Sequence, residues 1–178
     1  MVVLARIAKA TKWEESPSGD ENEVSADAIT TDMRTQGNRL SFWKFEEDDG
    51  DSFVEETILA LYTTPFTEKT LDKIDVIWIP ISTIESDGFE LCQNDGTTPL
   101  ENLKKHHIDV SVLDGERVLL LASRIAEAVR SGRRKRTRRK EVEKLIANAV
   151  ISGRVELESL SHRFKDDIKE TVQKITAQ

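Results

Sequence analysis

The segment Arg130-Ser131-Gly132-Arg133-Arg134-Lys135-Arg136-Thr137-Arg138-Arg139-Lys140 holds eight cations in eleven residues and no acid. A cluster of this size contacts several phosphates at once, which makes binding steeply salt-dependent and largely indifferent to sequence. The helix that follows is expected to start near Thr137 or Arg138, with Arg138, Arg139 and Lys140 in its first turn. Cations there face the positive pole of the helix dipole, each costing about 0.3–1 kcal/mol when exposed, and they repel one another. Stability alone does not select them. Arg130, Arg133, Arg134, Lys135, Arg136, Arg138, Arg139 and Lys140 are therefore the candidate site for a counter-charge. That charge is nucleic-acid phosphate, an acidic protein surface (this chain's own N-terminal region included) or a nuclear-import receptor. A solvated linker is the plain alternative.

No aromatic residue is interleaved with these arginines, so single-strand stacking has no support. A helix-turn-helix pivoting at Gly153 would carry Arg154, His162, Arg163 and Lys165 on its second helix. Glu156, Glu158, Asp166 and Asp167 share that helix and would meet phosphates badly.

The opposite patch is Glu46, Glu47, Asp48, Asp49 and Asp51, around Gly50. It lacks the ligand alternation and the twelfth-position glutamate of a calcium loop. A docking surface for a basic partner fits it better, as in an acidic antitoxin- or immunity-type inhibitor.

Catalytic chemistry finds little to build on. His106-His107-x-Asp109 mixes imidazole with carboxylate, but no third ligand follows at a metal spacing. Cys92 as a nucleophile would need the fold to bring His106 or His107 to it. Glu68-Lys69 and Asp72-Lys73 sit among turn residues rather than within a strand, and no glycine pair has phosphate-loop or dinucleotide spacing. No catalytic residue, metal site or cofactor is assigned, and a small hydrolase or nuclease stays open only with an unrecognised site. Thr30, Thr31, Asp32, Arg34 and Asn38 lie between apolar arms with Trp43 opposite. A pocket in the N-terminal region would have its wall there, although an ordinary half-exposed hairpin explains the same residues.

The elements that must position these groups are read from periodicity and punctuation. Val2 to Ile7 reads as an opening strand, and Trp13 to Glu23 as a polar loop. Ala28 to Thr35 and Arg39 to Phe45 flank Gln36-Gly37-Asn38 as the arms of a hairpin. A helix from about Phe53 to Tyr62 follows Ser52, and Ile74 to Ile81 suits a central strand that Pro80 ends. Phe89 to Cys92 is a short strand, Thr98-Pro99 opens a short helix that stops near His106-His107, and Ile108 to Leu113 is ambiguous. Three amphipathic helices are then expected, with stripes Val118 to Val129, Val142 to Val150 and Leu157 to Ile175, joined at Gly132 and Gly153.

The chain of 178 residues carries a net charge of -7. That value averages 12 basic and 26 acidic side chains up to residue 129 against 14 and 7 beyond it. The length excludes a propeller or a large barrel. With one cysteine and no apolar run of membrane-spanning or signal-peptide length, a soluble cytoplasmic protein is expected. The expected fold is α+β. An acidic mixed strand/helix domain over 1–110 contains the hairpin, and a helical segment over 114–178 carries a basic corner at 130–140. The expected function is a non-enzymatic interaction protein, an accessory or regulatory subunit of a larger assembly. Its protein partner docks on the C-terminal helices, with non-specific DNA or RNA as a further partner and no membrane.

Overall fold

The computed structural model describes residues 1–16, 18–20, 23–47, 52–63 and 71–177. Six strands, β1 (Val2–Ala8), β2 (Leu40–Glu46), β3 (Ile74–Pro80), β4 (Glu90–Gln93), β5 (His107–Ser111) and β6 (Arg134–Thr137), form one antiparallel sheet in the order β4-β5-β2-β1-β3-β6. Eight helices accompany it among the described residues: α1 (Ala10–Glu14), α2 (Ala26–Asp32), α3 (Ser52–Tyr62), α4 (Ile81–Ser86), α5 (Glu101–Lys104), α6 (Gly115–Arg130), α7 (Arg139–Ile151) and α8 (Lys165–Thr176). The fold is α+β, with its longest helices other than α3 toward the C-terminus.

Both faces of the sheet are covered, which the period-2 alternation of the strands makes possible. Val3, Ala5, Trp43, Phe45, Val76 and Trp78 pack with α3, α7 and α8 through Val54, Ile58, Val142, Ile146 and Ile168. The alternate residues Leu4, Phe42, Ile77 and Ile79 pack with α1, α4 and α6 through Trp13, Ile84, Leu121, Ile125 and Val129. Burial on both sides explains why every residue of β3 is buried and why its sequence reads as a continuous apolar run.

Several expectations are corrected. The segment before Gln36 is not a hairpin arm but α2, because helical spacing brings Ala28, Ile29 and Met33 together on the core side. Only the turn survives: Gln36 bridges Arg39 across Gly37 and Asn38, whose φ values of 60° and 56° suit a two-residue turn. Trp13 belongs to α1 and is fully buried rather than in a polar loop. His107 opens β5 instead of closing a helix, and α4 follows directly after Pro80. The third C-terminal stripe begins with a 3-10 turn at Leu157–Ser159, and its α-helix starts only at Lys165. The basic corner is a strand, β6, at one edge of the sheet. The segment 114–178 thus shares both cores with the N-terminal strands. Among the described residues no helix is long and apolar enough to cross a membrane.

Candidate functional site

β6 pairs with β3 in a register that sets Arg136 opposite Asp75 and Arg134 opposite Ile77. Arg136 grips Asp75 with two hydrogen bonds, Nε to Oδ1 at 2.7 Å and Nη2 to Oδ2 at 3.0 Å. This contact holds the Arg136 guanidinium above its ordinary pKa. Arg134 pairs with Glu14 at the end of α1. Arg133 reaches Glu127 at 3.4 Å and donates to Ser131 Oγ at 3.1 Å. Arg139 bridges Glu143 at 2.7 Å and Asp167 at 2.9 Å, joining α7 to α8. Arg130 donates to the Glu23 carbonyl at 2.7 Å. Much of the basic run therefore meets counter-charges supplied by its own chain. Lys135 is exposed on the edge strand. Arg138 caps α7, with its backbone N–H donating to Glu141 Oε2 at 2.7 Å. The Arg138 and Lys140 side chains are exposed and make no ion pair with the described residues.

The acidic patch is visible only in part. Glu46 is exposed at the end of β2, and Glu47 accepts a hydrogen bond from the Trp78 indole at 3.1 Å. Asp48, Asp49 and Asp51 lie outside the described residues.

A second site takes shape where two central strands part. β1 and β2 pair from Val2–Glu46 to Ala5–Trp43 and no further, after which β1 follows β3 and β2 follows β5. The wedge opens into a cleft of about 670 Å³, lined among others by Arg6, Lys9, Asp32, Arg34, Arg39 and Trp43. Asp32 is fixed by α2, and its Oδ2 accepts from the Lys9 N–H and the Trp13 indole, each at 2.7 Å. Its carbonyl accepts Arg6 Nη2 at 2.6 Å. The Arg6 guanidinium lies 5.1 Å from the Phe42 ring centroid. Burial pushes the Arg6 pKa down to about 10, against the opposing pull of Asp32. Thr31, Asp32 and Arg34 line this cleft together with Trp43, whereas Thr30 bonds back to the Ala26 carbonyl within α2. Arg6 and Lys9 carried no signal in the sequence, because nothing there shows where two strands stop pairing.

On the far wall, Ser41 Oγ donates to Asp109 Oδ1 at 2.8 Å and Asn94 donates to Asp109 Oδ2 at 2.7 Å. His107 Nδ1 lies 2.6 Å from Asn94 Oδ1, and its Nε2 is 3.9 Å from Asp109. The Ser41 hydroxyl is committed to the Asp109 carboxylate rather than to an imidazole, and this group orders the wall. Cys92 sits opposite Asp109 in the β4–β5 ladder, and His106 Nδ1 lies 2.8 Å from the Lys44 carbonyl. Among the described residues no group of three or more His, Cys, Asp or Glu side chains is placed to hold a metal ion. In comparisons with protein-family models, curated proteins and solved structures, none matches this chain.

Proposed function

We propose that the chain is a non-enzymatic interaction protein, an accessory or regulatory subunit, that meets nucleic-acid phosphate or an acidic surface along β6 and the first turn of α7. The observation that carries this reading is Arg138 and Lys140. They stand exposed at the positive pole of α7, where helix physics disfavours them, and no described carboxylate pairs with them. The neighbouring ion pairs of Arg133 and Arg139 are solvent-accessible, and such pairs are worth about 0–1 kcal/mol, so a phosphate can replace them at small cost. The apolar stripes of α6, α7 and α8 are consumed by the two cores. A protein partner on these helices therefore has Leu119 and Leu120 of α6 and Ile151 of α7 as its exposed apolar contacts.

The test is binding to mixed-sequence DNA and RNA at two salt concentrations. The native chain is compared with the Arg138→Ser/Lys140→Ser variant, which leaves the internal pairs intact. The expected result is salt-sensitive binding that drops about fivefold or more in the variant, with a shallower salt slope. Equal, weak binding by both proteins overturns the phosphate reading.

A further inference from the structure

We propose that the cleft between the parted ends of β1 and β2 binds a small oxyanionic molecule, its anionic group on Arg6 and a hydrogen-bond acceptor on the Trp43 indole. The site is independent of the basic edge strand. Two donors on its walls go without acceptors. Arg6 Nη1 and Trp43 Nε1 both belong to residues lining the cleft, and both atoms are buried without a hydrogen-bond partner. Trp43 is only 8% exposed, and buried polar groups are ordinarily paired. Asp32 accepts Lys9 and Trp13 on Oδ2 and Arg6 Nη2 on its carbonyl, Asp109 accepts Ser41 and Asn94, and no described acceptor meets Arg6 Nη1 or Trp43 Nε1. These two donors lack acceptors, and an oxyanionic ligand supplies them.

Charge points the same way. Arg6, Lys9, Arg34 and Arg39 line the cleft against two carboxylates, Asp32 and Asp109, leaving a positive surplus. The volume of about 670 Å³ suits a molecule of nucleotide size. An inserted peptide strand fits less well. Beyond the last β1–β2 pair, Ala5–Trp43, only Arg6 to Ala8 remain on β1 and Leu40 to Phe42 on β2, too few to hold a strand in register. Phosphate and carboxylate groups share the required chemistry, and the test separates them.

The three indole N–H signals of the 15N-labelled full chain are followed by NMR during titration with inorganic phosphate, AMP and citrate, each against chloride at equal ionic strength. Trp43→Phe assigns its signal, and Trp78, bonded to Glu47, serves as the internal control. The expected result is a saturable shift of the Trp43 signal while Trp78 stays unmoved, with AMP favoured for a phosphorylated ligand and citrate for a polycarboxylate. Arg34→Gln/Arg39→Gln should weaken binding about fivefold, and Arg6→Met about tenfold or more. The unmoved Trp78 signal and a dispersed amide spectrum report that each variant is folded, and the rim double variant decides if Arg6→Met is not. No saturable movement of Trp43 with any of the three anions, or undiminished affinity in the rim variant, overturns the proposal.

Discussion

Arg136 shows how a cation picked out for outside partners becomes structural. Its partner Asp75 has a side chain only 8% exposed, while Arg136 itself is 43% exposed. Solvent screens the outer side of the guanidinium, so the cost of losing it is set by the stranded carboxylate, about 1–2 kcal/mol. Arg136→Ala is expected to lower the unfolding free energy measured in urea by that amount, and Arg136→Ala/Asp75→Asn to recover most of it. A cycle in which the double variant is as unstable as the single one would show that the pair is not what Arg136 contributes. Val112 offers the opposite sign. It is an exposed β-branched residue with φ of 56°, held there as the Leu113 N–H donates to the Asn38 carbonyl at 3.0 Å. The left-handed region costs such a residue about 1–2 kcal/mol, and glycine regains most of this after its larger unfolded-state entropy. Val112→Gly is thus expected to raise stability by about 0.5–1 kcal/mol in the same denaturation assay. The positive φ was hidden in the sequence, since valine is the residue type least expected to adopt it.

At the scale of elements, short-range signals succeed where local chemistry decides and fail where packing does. The opening strand, the helix from Ser52, the central strand ended at Pro80 and the breaks at Gly132 and Gly153, with φ of 80° and 72°, follow from periodicity and backbone permissiveness. α2 and β6 do not. Both are short and polar, and each takes its conformation from a neighbour: α2 from the contacts of Asp32 with α1 and β1, β6 from its ladder with β3. One junction between elements carries a pH signature. Asp87, just past α4, receives Arg124 of α6 through two bonds of 2.7 and 2.9 Å, and these hold its pKa below the ordinary carboxylate value. A depressed folded pKa gives stability that is fully present above the unfolded value, about 4, and is lost as pH falls through the folded one. Thermal scans from pH 6 to pH 2 are expected to show a steeper acid loss for the native chain than for Arg124→Gln. Parallel profiles would remove this pair as the cause. Within α7, Ile146 is fully buried among α3 and sheet residues, so Ile146→Ala should cost about 2–5 kcal/mol in chemical denaturation.

Across the whole molecule, the charge asymmetry read from the composition is folded back on itself. Arg134 meets Glu14, Arg136 meets Asp75, and Arg154 grips Glu56 at 2.8 and 3.1 Å, so basic residues beyond 129 are matched to acids before it. The change of composition near residue 114 coincides with no change of core, because α6 covers one face of the sheet while α7 and α8 cover the other. A fragment of residues 1–113 is accordingly expected not to fold. Its circular dichroism and amide NMR dispersion should be those of an unfolded or aggregated chain, and a dispersed, cooperative fragment would establish 1–110 as an autonomous domain. The sequence by itself determined the α+β class, the principal strands, the three C-terminal helices and the presence of a concentrated basic segment. These are consequences of periodicity, turn chemistry and charge, which act over a few residues. Only the tertiary structure decided which cations keep an outward-facing charge and where β1 and β2 separate to leave the buried donors of Arg6 and Trp43 without acceptors. Ion-pair partners and strand pairing join residues far apart in the chain, and their choice depends on the packing of the whole sheet and its two helical layers.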